Sequence, residues 1–330
     1  MNYKLLTIVV PTYNRVSYLK KLLPFLASEL SDFSDQVDLI VLDNASTDDT
    51  FDLIGSYLTM RDWFNYIRHE VNIGPDLNFI KAIELSRSRF VWILSDDDCM
   101  LPGVLRSLIS HLSSNDASLV FLKNKWLLDI YGSHSCSSYK GSFVELSLDD
   151  FIKDVNVWMT FISSMVINRT KLLDQIEAAD LYLYCGTQLT QLSWILPLLT
   201  ETGSFYVSSH VAIFATKENS GGYDIFRVFG YNFPNILGDF FSVGSKRFSM
   251  FVNSYLLSTL LPLAWSIRQD EKSNRFLSLD PVLLSETKLS SFIRYRFIIV
   301  PILRFWRPAA YLLYKIVRFV SVIQSRMRVY

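Results

Sequence analysis

The chain has 330 residues, half of them hydrophobic and 15% aromatic, with 32 basic and 32 acidic side chains. This composition supports a sizeable core and excludes intrinsic disorder, collagen-like repeats and coiled coils. Three cysteines (Cys99, Cys136, Cys185) and four scattered histidines make neither a disulfide framework nor a zinc cluster, and suit a reducing compartment.

In chain order, Leu5–Val10 is a short apolar run that ends in the turn Pro11-Thr12-Tyr13-Asn14. Leu19, Leu22, Leu23 and Leu26 then fall at i, i+3, i+4 and i+7, a helical spacing. Val37–Leu42 predicts a second strand, closed by Asp43-Asn44. A capping box of Ser46 and Asp49 predicts a helix over Thr47–Leu58 and leaves Asp43 free to face the rim. Phe64–Arg68 predicts a third strand. Asn72-Ile73-Gly74-Pro75 opens a helix through Phe79, Ile80 and Ile83, and Phe90–Leu94 predicts a fourth strand that runs into Ser95-Asp96-Asp97-Asp98. After Leu101-Pro102-Gly103, a further helix and a strand at Ser118–Leu122 complete the alternation.

Strands alternating with helices imply right-handed crossovers and a parallel sheet, and continuous apolar strands imply cover on both faces. In such sheets ligands bind beyond the carboxyl ends of the strands. The polar tips Pro-Thr-Tyr-Asn, Asp-Asn and Ser-Asp-Asp-Asp should therefore converge on one rim.

Beyond residue 124 the rhythm loosens. Asp129–Gly141 is polar and turn-rich, Thr160–Ile167 resembles a strand, and Gln188–Leu199 a helix. Past Gly222 the pattern is aromatic and helical, with a break near Pro281. Phe248–Ile267 is uncharged but carries Asn253, Ser254, Ser258, Thr259 and Pro262, and reads as a buried or interfacial helix. From Phe292 to Tyr330 there are eight basic residues and no acidic one, against 24 basic and 32 acidic before it. Basic residues interleaved with Phe, Trp, Tyr and Leu suit a membrane surface better than nucleic acid, and place the chain peripherally at the inner face of the cell membrane.

Three adjacent carboxylates after a buried strand repel one another, and a divalent cation relieves that repulsion. Mg²⁺ or Mn²⁺ prefers oxygen ligands together with substrate phosphates. Asp43 is placed to accept hydrogen bonds from a nucleobase or ribose. Gly-x-Gly-x-x-Gly, the P-loop and Gly-x-Ser-x-Gly are all absent, which removes dehydrogenase, NTPase and acyl-hydrolase readings.

Taken in order, Thr7–Arg15 (TIVVPTYNR), Leu42–Thr50 (LDNASTDDT), Asn72–Ala82 (NIGPDLNFIKA) and Trp92–Gly103 (WILSDDDCMLPG) resemble a family 2 glycosyltransferase of the GT-A fold. The resemblance covers residues 5–125 and is nearest to the bacterial O-antigen and capsule branch that includes abequosyltransferase-like enzymes. It implies an α/β, Rossmann-like, mostly parallel sheet flanked by helices, with a mainly helical C-terminal extension. The domains would be 1–222, catalytic, and 223–330, helical, basic and aromatic.

The resemblance also implies roles. Pro11, Thr12 and Tyr13 would line the base of a nucleoside diphosphate sugar, with Asp43 on the nucleobase. Asn72, Gly74, Asn78 and Lys81 would shape the ribose and phosphate region. Asp96 would face the ribose, and Asp97 would bind the metal, with Asp98 nearby. The activity implied is inverting, metal-dependent transfer of a sugar to a glycan acceptor, lipid-linked in this reading. His69 and Arg68 read as ordinary strand-end residues.

The sequence departs from the family in two places. Ser95 stands where many members have an acidic residue. The acceptor-side Glu-Asp pair is replaced by Cys185-Gly186-Thr187-Gln188-Leu189-Thr190-Gln191, in which neither Thr nor Gln can act as a base near neutral pH. Of the carboxylates nearby, Glu177, Asp180 and Glu218, Asp180 is the expected base. A nucleotidyltransferase and a sugar-nucleotide-binding scaffold without turnover remain the alternatives.

Overall fold

The computed structural model describes residues 4–58, 63–127, 130, 138–216, 224–269 and 280–327. Glu218, Cys136 and His134 lie outside the described residues. The chain packs as two compact units. One runs through Phe151 and resumes at Trp158; the other takes Ile152–Val157 and the C-terminal part of the chain.

The first unit is built on strands β1 (Leu6–Thr12), β2 (Val37–Asp43), β3 (Phe64–Arg68), β4 (Phe90–Ile93), β5 (Cys99–Met100), β6 (Leu119–Phe121), β7 (Asn124–Leu127), β8 (Phe143–Leu146), β9 (Met165–Asn168), β10 (Phe205–Ser208) and β11 (Ile213–Thr216). Eight of them form one sheet in the order β3-β2-β1-β4-β9-β6-β10-β8, and β5-β11-β7 form a small second sheet. The four strands predicted first are mutually parallel, with β1 at their centre and Thr12 opposite Asp43. β9 enters antiparallel between β4 and β6, and so interrupts the parallel run.

The helices between these strands are α1 (Val16–Leu30), α2 (Thr50–Leu58), α3 (Pro75–Leu85) and α4 (Val104–Ser114). The leucines of α1 turn inward as their spacing requires. Each fully buried Leu contributes about 1.5–3 kcal/mol of transfer free energy. Every residue of β1 is buried, so the sheet is covered on both faces here.

Four local expectations are corrected. α2 begins at Thr50, not Thr47, because Asp48 Oδ1 takes the Thr50 N–H at 3.2 Å and its hydroxyl at 2.6 Å. Ser46 does not cap it; its Oγ accepts the Asn14 N–H from the first turn at 2.9 Å. Thr160–Ile167 is strand only from Met165, where β9 begins, and is short 3-10 turns before it; within Gln188–Leu199 the α-helical turn is Leu192–Ile195. Apolar runs this short do not separate strand from turn by periodicity.

The second unit is helical. Its helix Lys246–Gln269 is the one, among the described residues, long and apolar enough to cross a membrane, and half of its apolar window is buried within the structure. Phe248, Phe251, Tyr255, Leu256 and Leu260 on this helix are all buried. Arg307–Met327 is the long helix near the end of the chain.

Candidate active site

The carboxyl ends of β1, β2 and β4 bring three polar segments together. Thr12 ends β1 and donates its hydroxyl to Asp96 Oδ2 at 2.7 Å. Arg15, three residues on, puts Nη1 2.8 Å from Asp96 Oδ1 and 3.4 Å from Asp97 Oδ2. The aspartate triplet thus lies against the first turn. The second turn is stitched to the same place: Asn44 N–H donates to the Thr12 carbonyl at 2.9 Å, and Val16 N–H to Asp48 Oδ2 at 3.0 Å. Asn14 and Ala45 both hold positive φ, 53° and 64°. For the alanine that costs on the order of 1 kcal/mol, a strain of the kind that collects at functional sites.

The triplet is anchored from behind. Trp92 of β4 is fully buried and donates its indole N–H to the Ser163 carbonyl at 2.8 Å. The Ser163 hydroxyl accepts the Ser95 N–H at 3.0 Å and donates to Asp98 Oδ2 at 2.5 Å. Asp98 Oδ1 accepts the Thr216 N–H at 3.3 Å, so both of its oxygens are held by protein. Asp97 accepts the Ser95 hydroxyl at 2.5 Å on Oδ1 and faces Arg15 with Oδ2. Ser95, which departs from the family's acidic residue, is thus a donor that orients Asp97.

Burial, reinforced by the neighbouring Asp97, pushes the Asp98 carboxyl up to about 7. Burial also raises Asp96, to about 6, against the opposing pull of Arg15. Burial works against the Arg15 charge, but Asp96 outweighs it and the guanidinium pKa is raised. Arg15 is the positive partner of both carboxylates it faces, and was not among the residues singled out from sequence. Its signal was its place in TIVVPTYNR, at the end of the first turn.

Mg²⁺ or Mn²⁺ is taken up by one or two carboxylates plus substrate phosphates rather than by an all-protein cage. The donor set fits that pattern: Asp97 holds its Oδ2 toward the Arg15 side, and no group of three His, Cys, Asp or Glu side chains among the described residues forms a cage. Asp98, expected near the metal, is a carboxylate braced by Ser163 and Thr216.

Asp43 is also not the free carboxylate expected. It is fully buried, its Oδ1 accepts the Ser46 N–H at 2.8 Å, and its Oδ2 accepts the Tyr66 hydroxyl at 2.6 Å with Arg68 Nε at 3.4 Å. Burial first, then the bond to Asp43, raises the Tyr66 phenol well above its ordinary range. Tyr66 and Arg68 on β3 therefore stand between Asp43 and solvent, and sequence reasoning gave them no such part.

The Asn72 loop is rigidly arranged. Asn72 Oδ1 accepts from Asn44 Nδ2 at 2.9 Å and from the Gly74 N–H at 2.8 Å. Gly74, at φ 85°, sits in the left-handed region that favours glycine and starts α3 with Pro75 behind it. Asn78 is buried and bonds His69 Nε2 at 3.0 Å, so both are structural ties between α3 and β3. Lys81 pairs with Glu84 at 2.6 Å. Pro11 is buried, whereas Tyr13 is 42% exposed and presents its ring to solvent.

On the acceptor side, Asp180 is exposed and accepts the Glu177 N–H at 2.9 Å as part of a capping box. The carboxylate that meets the Cys185–Gln188 loop is Asp76, from the first turn of α3. Its Oδ2 accepts the Gly186 N–H at 2.7 Å and the Gln188 N–H at 3.2 Å. Burial raises the Asp76 pKa against the lowering effect of these two N–H groups. The NIGPD motif contained Asp76, but nothing in the sequence linked it to a loop 110 residues away.

Residues 7–161 match the profile described as Glycosyl transferase family 2. This stretch, just under half of the chain, is similar to that family. A relative from Salmonella typhimurium, abequosyltransferase RfbV, is 34% identical over 114 residues, which is 33% of each chain. A Campylobacter jejuni relative, GalNAc(5)-diNAcBac-PP-undecaprenol beta-1,3-glucosyltransferase, is 31% identical over 113 residues, or 34% of this chain and 36% of the relative. The matches thus span about a third of these relatives' length. Among solved structures, S. aureus TarS 1-349 in complex with UDP-GlcNAc superposes with a TM-score of 0.59 at 17% identity, over 97% of this chain and 92% of that one. The family 2 fold is GT-A, as the sequence resemblance implied.

Proposed function

We propose that the protein is a glycosyltransferase that moves a sugar from a nucleoside diphosphate donor to a hydroxyl of a glycan acceptor in bacterial surface polysaccharide synthesis. The acceptor is lipid-linked in this reading, and the chain works on the inner face of the cell membrane. The observation that carries the proposal is the meeting of Thr12 and Arg15 with Asp96 and Asp97, which puts cationic and cation-seeking groups where the sheet opens. That TarS is named in complex with UDP-GlcNAc, and the C. jejuni relative with a PP-undecaprenol acceptor, supports both substrate classes.

The rim gives each group a task. Tyr13 is exposed and can cover the nucleobase, with Tyr66 and Arg68 as the polar edge backed by Asp43. Asp96 is fixed by two donors and can accept from a ribose hydroxyl. Arg15 can exchange its carboxylate partners for diphosphate oxygens. A bound Mg²⁺ or Mn²⁺, held by Asp97, supplies neutralisation of the charge on the departing diphosphate. The acceptor oxygen forms its bond to the anomeric carbon as the carbon–oxygen bond to phosphate breaks. The diphosphate leaves with that electron pair, on the face opposite the attack, which inverts the centre.

The acceptor proton passes to a carboxylate. Asp180 lies exposed in the turn at Glu177, whereas Asp76 meets the Cys185–Gln188 loop directly, so Asp76 takes the role of base: its Oδ2 holds the loop while its other oxygen accepts the proton. The absence of a carboxylate within Cys185–Gln191 is what favours the second reading, a donor-binding scaffold without turnover.

A thermal-shift screen of UDP-, GDP-, CDP- and dTDP-sugars with and without Mn²⁺ tests the proposal, since ligand binding to the folded state raises apparent stability by mass action. One donor class should raise the melting temperature, more so with Mn²⁺, and support glycoside formation with membrane extracts as acceptor. No shift with any donor rejects the reading, a shift without glycoside selects the scaffold, and release of pyrophosphate selects a nucleotidyltransferase.

A further inference from the structure

The helix Arg307–Met327 is seated by one face only. Ala310 is buried, and Tyr314 stacks on Trp265 of helix Lys246–Gln269 with ring centroids 5.2 Å apart. A second face is apolar yet exposed. Leu312, Ile316, Phe319 and Val320 recur at i, i+4, i+7 and i+8, at 62%, 53%, 68% and 44% exposure. Trp306, just before the helix, is 78% exposed. Single exposed apolar residues are ordinary, but four in register along one face of one helix form a contact surface.

Arg307, Lys315 and Arg318 follow one another along the adjoining line of the helix at i, i+8 and i+11, with Tyr311 between the first two. The Lys315 ammonium lies over the Tyr311 ring, 5.4 Å from its centroid. No acidic residue occurs from Phe292 through Tyr330.

We infer that this helix is a membrane-surface element. Its Leu312–Phe319 stripe enters the boundary between headgroups and acyl chains of an anionic bilayer, and the Arg307–Lys315–Arg318 line meets the lipid phosphates. The charge selects the occupant. A two-fold pairing of the helix with a second copy would set these like-charged lines close together, whereas anionic lipid satisfies the stripe and the charges at once. The inference deepens the peripheral location in the reading above by naming the surface that produces it. It fits an acceptor carried on lipid, which this surface would bring within reach of a membrane-held enzyme.

The test is flotation of the full chain with phosphatidylcholine vesicles and with phosphatidylcholine–phosphatidylglycerol vesicles. The protein should float with the second and only weakly with the first, less so at high salt. The paired substitution Ile316→Glu and Phe319→Glu should abolish flotation. Lys315→Gln should weaken binding by about fivefold, the worth of one cation near an anionic surface. Both substitutions alter exposed positions, and the melting temperature and its donor-dependent shift, read on the same samples, should match wild type.

Equal flotation of wild type and the Ile316→Glu, Phe319→Glu variant overturns the inference. So does a wild-type dimer by light scattering that becomes monomeric in this variant without any vesicle binding. Flotation that resists alkaline carbonate would mean insertion through helix Lys246–Gln269, and also overturns it. If flotation fails while the donor-dependent shift persists, the surface is rejected and the transfer reading stands; the reverse pattern rejects transfer and keeps the surface.

Discussion

Arg15 Nη1 sits 2.8 Å from Asp96 Oδ1, joining the first turn of the sheet to the aspartate triplet 81 residues later. This pairing makes the guanidinium the countercharge of the site whenever no cation is bound. Breaking it should therefore cost stability in the free protein. Arg15→Met is expected to lower stability by on the order of 2 kcal/mol, the worth of a hydrogen bond to a charged group. The cost stays below that of a fully buried pair because a third of the Arg15 side chain is exposed to screening water. Urea midpoints measured in chelator check this, and Mn²⁺ should restore more stability to the variant than to wild type. Equal midpoints would show that the pair contributes nothing.

Stability should also depend on pH in a definite direction. The Asp96 and Asp98 carboxyls lie at about 6 and about 7 in the folded chain, raised chiefly by burial. An unfolded Asp titrates near about 3.9, so between these values the folded state binds more protons than the unfolded one. The stability these groups contribute is complete below about pH 4 and is lost as pH rises through about 7. Asp48 and Asp116 are shifted the other way: burial raises Asp48 but its bonds to Thr50 and Val16 prevail, and Asp116 is lowered by Lys171 and Arg89. Their stabilisation is lost only as pH falls below the ordinary carboxylate range, so the two windows do not overlap. Melting temperatures in chelator should decline from about pH 4 to about pH 7, and Asp98→Asn should flatten the decline. A rise over that interval would contradict the assignment.

Asp97 carries the proposed cation contact, with Oδ1 held by the Ser95 hydroxyl and Oδ2 facing Arg15. Asp97→Ala should leave a folded protein whose sugar-nucleotide thermal shift no longer responds to Mn²⁺. Transfer should fall by on the order of 10²-fold or more, comparable to losing one transition-state charge stabiliser. Wild-type turnover in this variant would reject the metal role.

Asp76 separates clamp from base by the choice of substitution. Asp76→Asn keeps an oxygen that can accept the Gly186 and Gln188 N–H groups, whereas Asp76→Ala leaves both without that partner. Hydrogen exchange at these two amides should be unchanged in the first variant and faster in the second. If Asp76 is the base, Asp76→Asn should nonetheless lower turnover by about 10²–10⁴-fold with the donor shift intact. Full activity in Asp76→Asn would confine the residue to holding the loop.

The parallel half of the sheet was legible from sequence because it is made by local signals. Apolar runs such as TIVV and LIVL set the strands, leucine spacing set α1, and the rule that ligands gather beyond strand ends directed attention to Thr12 and Asp96. The antiparallel insertion of β9 between β4 and β6 was not legible, since a four-residue apolar strand carries no mark of its partners or direction.

The sequence by itself determined the family resemblance, the alternation of strands and helices, and the polar rim beyond the strand ends. Only the tertiary structure decided which donors each carboxylate meets. Asp43 and Asp98 look available in one dimension, yet Tyr66 and Ser163, brought in from β3 and from beside β9, occupy their oxygens. The physical reason is that a buried carboxylate must find hydrogen-bond donors, and those donors come from wherever packing puts them rather than from the neighbouring sequence. The same holds for Asp76, whose partners are backbone amides fixed in place only once the chain has folded.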